Sequence, residues 1–247
     1  MLCARSSRSR LRIADSTARA EQERPHKVRD SLSFYLAQAK LRVLTAKDPG
    51  QALNYFSQSR TDPPLPEAAH QYGRGLALAA VGRHAEARRE LERLADADPD
   101  RIAYPLALAE IDQGAGRGDA ALTRYRDMLT LYPGNPVIVQ GYAQALLENR
   151  RFADAHRLLE EFRRGQALPR PGLYQLLAQA STGMKRPVDA HEAMAEYYYL
   201  NGQTHAAVEQ LTLATRMPDQ DFYQASRIEA RLRELKAIAL EEKKEQR

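Results

Sequence analysis

An alanine that returns at a fixed interval, Ala87, Ala121 and Ala155, constrains this chain more than any other feature. The interval is 34 residues, and three further columns keep it: Gly75, Ala109 and Ala143; Leu94, Met128 and Phe162; Pro99 and Pro133. Four columns sharing one period require a structural unit that repeats, stacked on copies of itself, in place of a single central core.

A 34-residue unit with small residues at slots 8 and 20, an aromatic or aliphatic residue at 24 and proline at 32 is the tetratricopeptide pattern. Each unit is a helical hairpin. Slots 8 and 20 lie where its two helices cross, so only a small residue lets the backbones approach. The predicted packing residues are Gly75, Ala87, Ala109, Ala121, Ala143, Ala155, Ala178 and Ala190. Larger residues at 7, 11, 24 and 27 fill the space between hairpins at helical spacing. Proline near slot 32 ends the second helix, because it lacks an amide proton and restricts the residue before it. Units therefore start near Ala68, Ile102 and Pro136, with helix-separating turns at Val81-Gly82-Arg83, Gly114-Ala115-Gly116 and Asn149-Arg150.

Degenerate units flank these three. Upstream, Leu36-Ala37 and Ala52 with Phe56 fit slots 7, 8, 20 and 24. Downstream, Leu177-Ala178, Ala190, Met194 and Tyr197 fit a unit starting near Pro171, one residue out of register. Glu192–Leu200 fits a first helix as well, with Ala207, Leu211 and Ala214 completing a second helix after Asn201-Gly202. Asp219–Glu242 reads as one long polar helix with apolar residues at Phe222, Ile228, Leu232 and Leu235, the solvent-compatible cap a terminal repeat needs. The expected fold is an all-α tetratricopeptide solenoid of about five hairpins with a C-terminal capping helix. Its predicted organisation is a basic leader at 1–29, repeats at 30–217, and capping helix with charged tail at 218–247.

Charge and composition narrow the function. The net charge of +5 resides in residues 1–29, which hold eight Lys or Arg against three acids; the remainder carries 29 of each sign. A nucleic-acid groove needs a basic stripe along the folded body, and none is expected here. No apolar run approaches the roughly 18 residues of a membrane span. Met1–Arg12 supplies positive charge, but no apolar stretch of roughly 7–15 residues follows it. The chain as written is thus expected to be cytoplasmic, with the leader partly disordered. Cys3 is the only cysteine and forbids an internal disulfide.

No catalytic or metal-binding set is expected, and no cofactor. His191-Glu192-Ala193-Met194-Ala195 begins like the zinc-protease helix HExxH, but the second histidine that would share the helix face is Ala195. His156 and His191 occupy one slot of adjacent units without a carboxylate or cysteine partner. The glycine-rich stretch Gly114–Gly118 joins two helices and lacks the Gly-Lys-Ser/Thr ending of a phosphate loop. The inner groove, lined by slots 5 and 9 of the first helices, reads Tyr72, Leu106, Gln140 and Gln175, then Leu76, Glu110, Gln144 and Gln179. These slots lack the Lys, Asn and Arg that clamp a C-terminal carboxylate. Amides and apolar residues suit an extended backbone or a folded surface, or stand there simply solvated.

Arg12-Ile13-Ala14-Asp15-Ser16 with Arg19-Ala20, Ser31–Ala37, Glu196–Gln203 and Phe222–Ile228 carry a resemblance across about residues 11–235. The chain resembles the C-terminal tetratricopeptide region of BepA-type bacterial metalloproteases, periplasmic enzymes in which a zinc protease domain precedes the repeats. The resemblance implies quality control of outer-membrane proteins, with repeats docking onto assembling β-barrel substrates and the barrel-assembly machinery. It implies a periplasmic setting, and zinc only for the protease domain. None of the family's catalytic or metal residues can be carried over to a position here.

The expected function is a non-catalytic protein-interaction module of such a protease. One alternative is a regulatory fragment of an active zinc metallopeptidase whose catalytic domain lies upstream. Another is a cytosolic repeat adaptor unrelated to proteolysis.

Overall fold

The computed structural model describes residues 31–58, 64–165, 170–218 and 220–245. The basic leader at 1–29 lies outside them. Among the described residues there are twelve helices and no strand: α1 (Leu32–Thr45), α2 (Pro49–Ser57), α3 (Glu67–Ala80), α4 (His84–Ala97), α5 (Ala103–Gly114), α6 (Gly118–Leu131), α7 (Pro136–Glu148), α8 (Phe152–Arg164), α9 (Pro171–Gly183), α10 (Pro187–Leu200), α11 (Thr204–Thr215) and α12 (Phe222–Glu245). The first ten form five hairpins, and from α2 onward each helix packs on the next.

Local chemistry sets the ends. Ser31, Asp48 and Asn135 cap α1, α2 and α7 by accepting first-turn amides, and proline occupies the first turn of α2, α7, α9 and α10. In the four hairpins after the first, the turn that follows the first helix repeats one hydrogen-bond pattern. Gly82 N–H donates to Ala79 O and Arg83 N–H to Leu78 O; Arg150 donates to Leu147 O and Arg151 to Leu146 O. Such a closure requires a left-handed residue at its centre. Gly82 and Gly116 supply it with φ of 82° and 73°, but Arg150 and Lys185 adopt 58° and 59°.

The period-34 columns are the interior. Ala87, Ala109, Ala121, Ala143 and Ala155 are completely buried, Ala178 nearly so, and Gly75 packs on Leu91. Large rings from second helices press on glycines of the next first helix. A Cβ on Gly73 would stand 2.3 Å from Phe56, and one on Gly141 would stand 2.8 Å from Tyr125. The core is accordingly a chain of three clusters: one spanning α1–α5, one α5–α10 and one α10–α12. This is the nearest-neighbour arrangement of a solenoid.

Two packing positions differ from expectation. Ala37 is exposed, while Leu36 and Ala39 are buried. The reason lies in the first hairpin, where α1 and α2 both pack on α3 but scarcely on each other, so no tight crossing exists for Ala37 to fill. Ala190 is only half-buried. Helix α10 is sandwiched: Ala193 joins the central cluster, Val188 and Ala195 join the last one, and Ala190 falls between these contacts.

Between α4, α5 and α6 sits a buried charge. Asp112 on α5 accepts from Arg117 Nη2 at 2.8 Å and Arg124 Nε at 2.8 Å, and also pairs with Arg88. Burial pushes its carboxyl upward, but the hydrogen bonds from Arg124 and Arg117 and the charges of Arg88 and Arg124 outweigh it, leaving the group below its usual range.

Candidate partner-binding groove

The first helices of successive hairpins, α3, α5, α7 and α9, place the eight predicted groove residues at three depths. Gln140, Gln144, Gln175 and Gln179 are exposed on α7 and α9, as is Glu110 on α5. Leu106 is half-buried. Tyr72 and Leu76, predicted on the groove surface, are buried in the first cluster instead. Helix α1 lies against α3 and covers them, and the Tyr72 and Tyr104 rings pack 5.9 Å apart. Burial, reinforced by Glu110 and Tyr104, pushes the Tyr72 hydroxyl pKa up, so it stays neutral.

The amides are available for contact. Gln144 donates to Glu148 within its own helix at 3.0 Å. The Gln140 amide nitrogen lies 3.8 Å from where a Cβ on Gly172 would stand, at the start of α9. A glutamine row carries donors and acceptors together and so can pair with main chain of any sequence.

One groove residue escaped the sequence reading. Lys40 of α1 reaches across α3 to Glu110 of α5, with Nζ donating to Oε1 at 2.7 Å and to Oε2 at 3.0 Å. Slots 5 and 9 contain no cation, but α1 delivers one at the N-terminal end of the groove. The available signal was the separation of the two residues, roughly two repeats in sequence; the degenerate register of the first hairpin concealed it.

At the other end a cleft of about 560 Å³ opens among α8–α12. Its carboxylates are already matched: Glu160 with Arg163 at 2.6 Å, Asp189 with Arg186 at 2.5 Å, Glu192 with Arg227 at 3.0 Å and Glu196 with Arg231 at 2.8 Å. The last three tie α10 to its own entry turn and to α12. The hydrogen bond from Arg231 to Glu196 raises the guanidinium pKa further, and Arg231 also lies 4.7 Å over the Tyr199 ring. His191 is held by Gln210 of α11 at 2.7 Å and Glu192 by α12, whereas His156 lines the cleft. The segment that begins like a zinc-protease helix is spent on packing. Among the described residues no group of three or more His, Cys, Asp or Glu is placed to hold a metal.

The stacked hairpins and the buried small-residue columns form a tetratricopeptide-repeat solenoid, and residues 113–180 match the tetratricopeptide repeat family model. The chain is similar to the beta-barrel assembly-enhancing protease of Escherichia coli strain K12. The two are 29% identical over 232 residues, 92% of this chain and 46% of that protein. It is also 25% identical to the protein of the same name from Yersinia pestis, over 92% of this chain and 47% of that protein. A tetratricopeptide repeat protein from Parabacteroides merdae has 10% identity and a TM-score of 0.46, over 87% of this chain and 88% of that one. The chain thus spans about half the length of the curated relatives it matches. Among the described residues no helix is long and apolar enough to cross a membrane.

Proposed function

We propose that this chain is a non-catalytic docking module of a beta-barrel assembly-enhancing protease, working in the periplasm. In this reading the groove holds assembling outer-membrane β-barrel proteins or the machinery that assembles them. The observation that carries it is the row Gln140, Gln144, Gln175 and Gln179, exposed on consecutive first helices of a chain that is similar, over 92% of its own residues, to 46% of that protease. Amides can pair with unsatisfied strand edges of an unfinished barrel without reading its sequence. Proteolysis, and the zinc it uses, are assigned to parts of the protease other than these repeats.

The test is fluorescence anisotropy of a labelled, unfolded outer-membrane β-barrel protein against the purified chain. Binding is expected, weakened at least tenfold by changing all four glutamines to alanine with an unchanged Tm. No binding by the parent, or equal binding by the quadruple variant, overturns the proposal.

A further inference from the structure

At the N-terminal end of the groove, where α1, α3 and α5 meet the start of α4, lies a second cleft of about 210 Å³. Val43, Leu44, Leu76, Ala79 and Ile111 give it apolar walls. Leu44 on α1 is 71% exposed, although it belongs to a helix whose other face is core. The volume falls below the ~300 Å³ at which pockets for small organic ligands begin. It matches one side chain.

The polar atoms along this cleft restrict the occupant further. Lys40 and Glu110 are bound to each other at 2.7 Å, so the pair presents no net charge. A charged guest would have to compete with one partner for the other, whereas a neutral guest leaves the pair intact. His84 also lines the cleft, and its Nδ1 is buried with no hydrogen-bond partner among the described residues. A buried ring nitrogen left unpaired is unfavourable, and a turn of the ring toward the cleft would let a main-chain group of a bound segment satisfy it. Gly114 faces this ring: a Cβ there would stand 3.5 Å from His84 Cε1. The absence of a side chain at 114 keeps that end of the cleft open.

We infer that this cleft receives a single uncharged apolar side chain, of leucine or phenylalanine size, from an extended segment of a protein partner, with a main-chain group of that segment at His84 Nδ1. This rests on the reading of the groove as a partner site and adds its anchor: the amide row contacts main chain, and the cleft selects an apolar residue. A segment alternating apolar and polar residues, as a half-buried strand does, meets both demands.

The experiment is NMR of the isotopically labelled full chain titrated with acetylated, amidated peptides Ser-Gly-Xaa-Gly-Ser, where Xaa is Phe, Leu, Ala or Asp. Saturable shifts at Gly114, Ala79 and the His84 ring are expected with Phe and Leu, at least tenfold weaker with Ala and absent with Asp. Ala80→Trp, at an exposed position lining the cleft, is expected to abolish them with an unchanged Tm. Gly114→Ala, whose Cβ makes only ordinary contact, is expected to weaken them and serves if the tryptophan variant fails to fold. No shift with Phe, stronger binding of the Asp peptide or of a free-carboxylate Phe peptide, or no effect of either substitution overturns the inference. The outcome is separable from the fate of the docking proposal. Phe-induced shifts in a chain that binds no β-barrel protein leave the cleft standing and remove the proposed function. Barrel binding unaffected by Ala80→Trp does the reverse.

Discussion

Asp112 and Arg124 are joined at 2.8 Å between α5 and α6, and the carboxylate that makes this contact is inaccessible to solvent. With Arg88 and Arg117 also on Asp112, one acid balances three guanidinium groups at the junction of two repeats. Removing it strands those charges in a half-buried site. Asp112→Ala is expected to cost about 3–5 kcal/mol in chemical denaturation; a loss under about 1 kcal/mol would show that the cluster is solvated.

The same cluster gives a pH dependence. The Asp112 carboxyl lies below its ordinary value of 3.8 in the folded chain, so the unfolded state binds its proton first as pH falls. Its contribution is complete above pH ~4 and is lost as pH drops through the lowered folded value. Tm measured from pH 5 to 2 is expected to fall more steeply for the parent than for Asp112→Asn. Parallel curves would contradict the assignment.

Arg150 and Lys185 occupy the left-handed turn position that Gly82 and Gly116 fill elsewhere. A side chain there costs ~1–2 kcal/mol, partly offset by the flexibility that glycine adds to the unfolded chain. Arg150→Gly and Lys185→Gly are each expected to raise stability by about 0.5–1 kcal/mol. Gly82→Ala should lower it by about 1 kcal/mol, although a Cβ at Gly82 meets nothing within 4 Å, because the penalty is in the backbone.

Ala121 is fully buried where two helices of one hairpin cross. Ala121→Trp is expected to cost about 3 kcal/mol by overpacking. A variant that melts with the parent would place the crossing elsewhere.

Helix α12 is fastened by Arg227 and Arg231 to Glu192 and Glu196 of α10, over the buried Ile228, Leu232 and Leu235. In a nearest-neighbour array a defect stays local. Arg231→Ala should speed amide exchange in α10–α12 and leave α3–α6 unchanged; uniform acceleration would mean that the array unfolds as one body.

The repeat frame was legible because its cause is steric: residues that must be small recur wherever helices cross, and Ala87, Ala121 and Ala155 announce the spacing. The groove amides followed from the same frame, since a surface slot in one repeat predicts the next. Legibility failed where two hairpins meet unequally. Tyr72 and Leu76 occupy groove slots, yet α1 covers them, and nothing in their own repeat records the tilt of α1. The Lys40–Glu110 pair and the Asp112 cluster were hidden because ion pairs between repeats have no fixed spacing. The left-handed Arg150 was hidden because its neighbours, not its residue type, impose the turn.

The most direct measurement of the docking account is paired photo-crosslinking in a bacterial periplasmic extract, with the photoreactive residue at Gln144 or, in a second sample, at exposed Arg157 on the second helix of the same hairpin. The account predicts that Gln144 captures outer-membrane β-barrel proteins or their assembly machinery and that Arg157 captures neither. Equal capture from both positions, or none from Gln144, would contradict it.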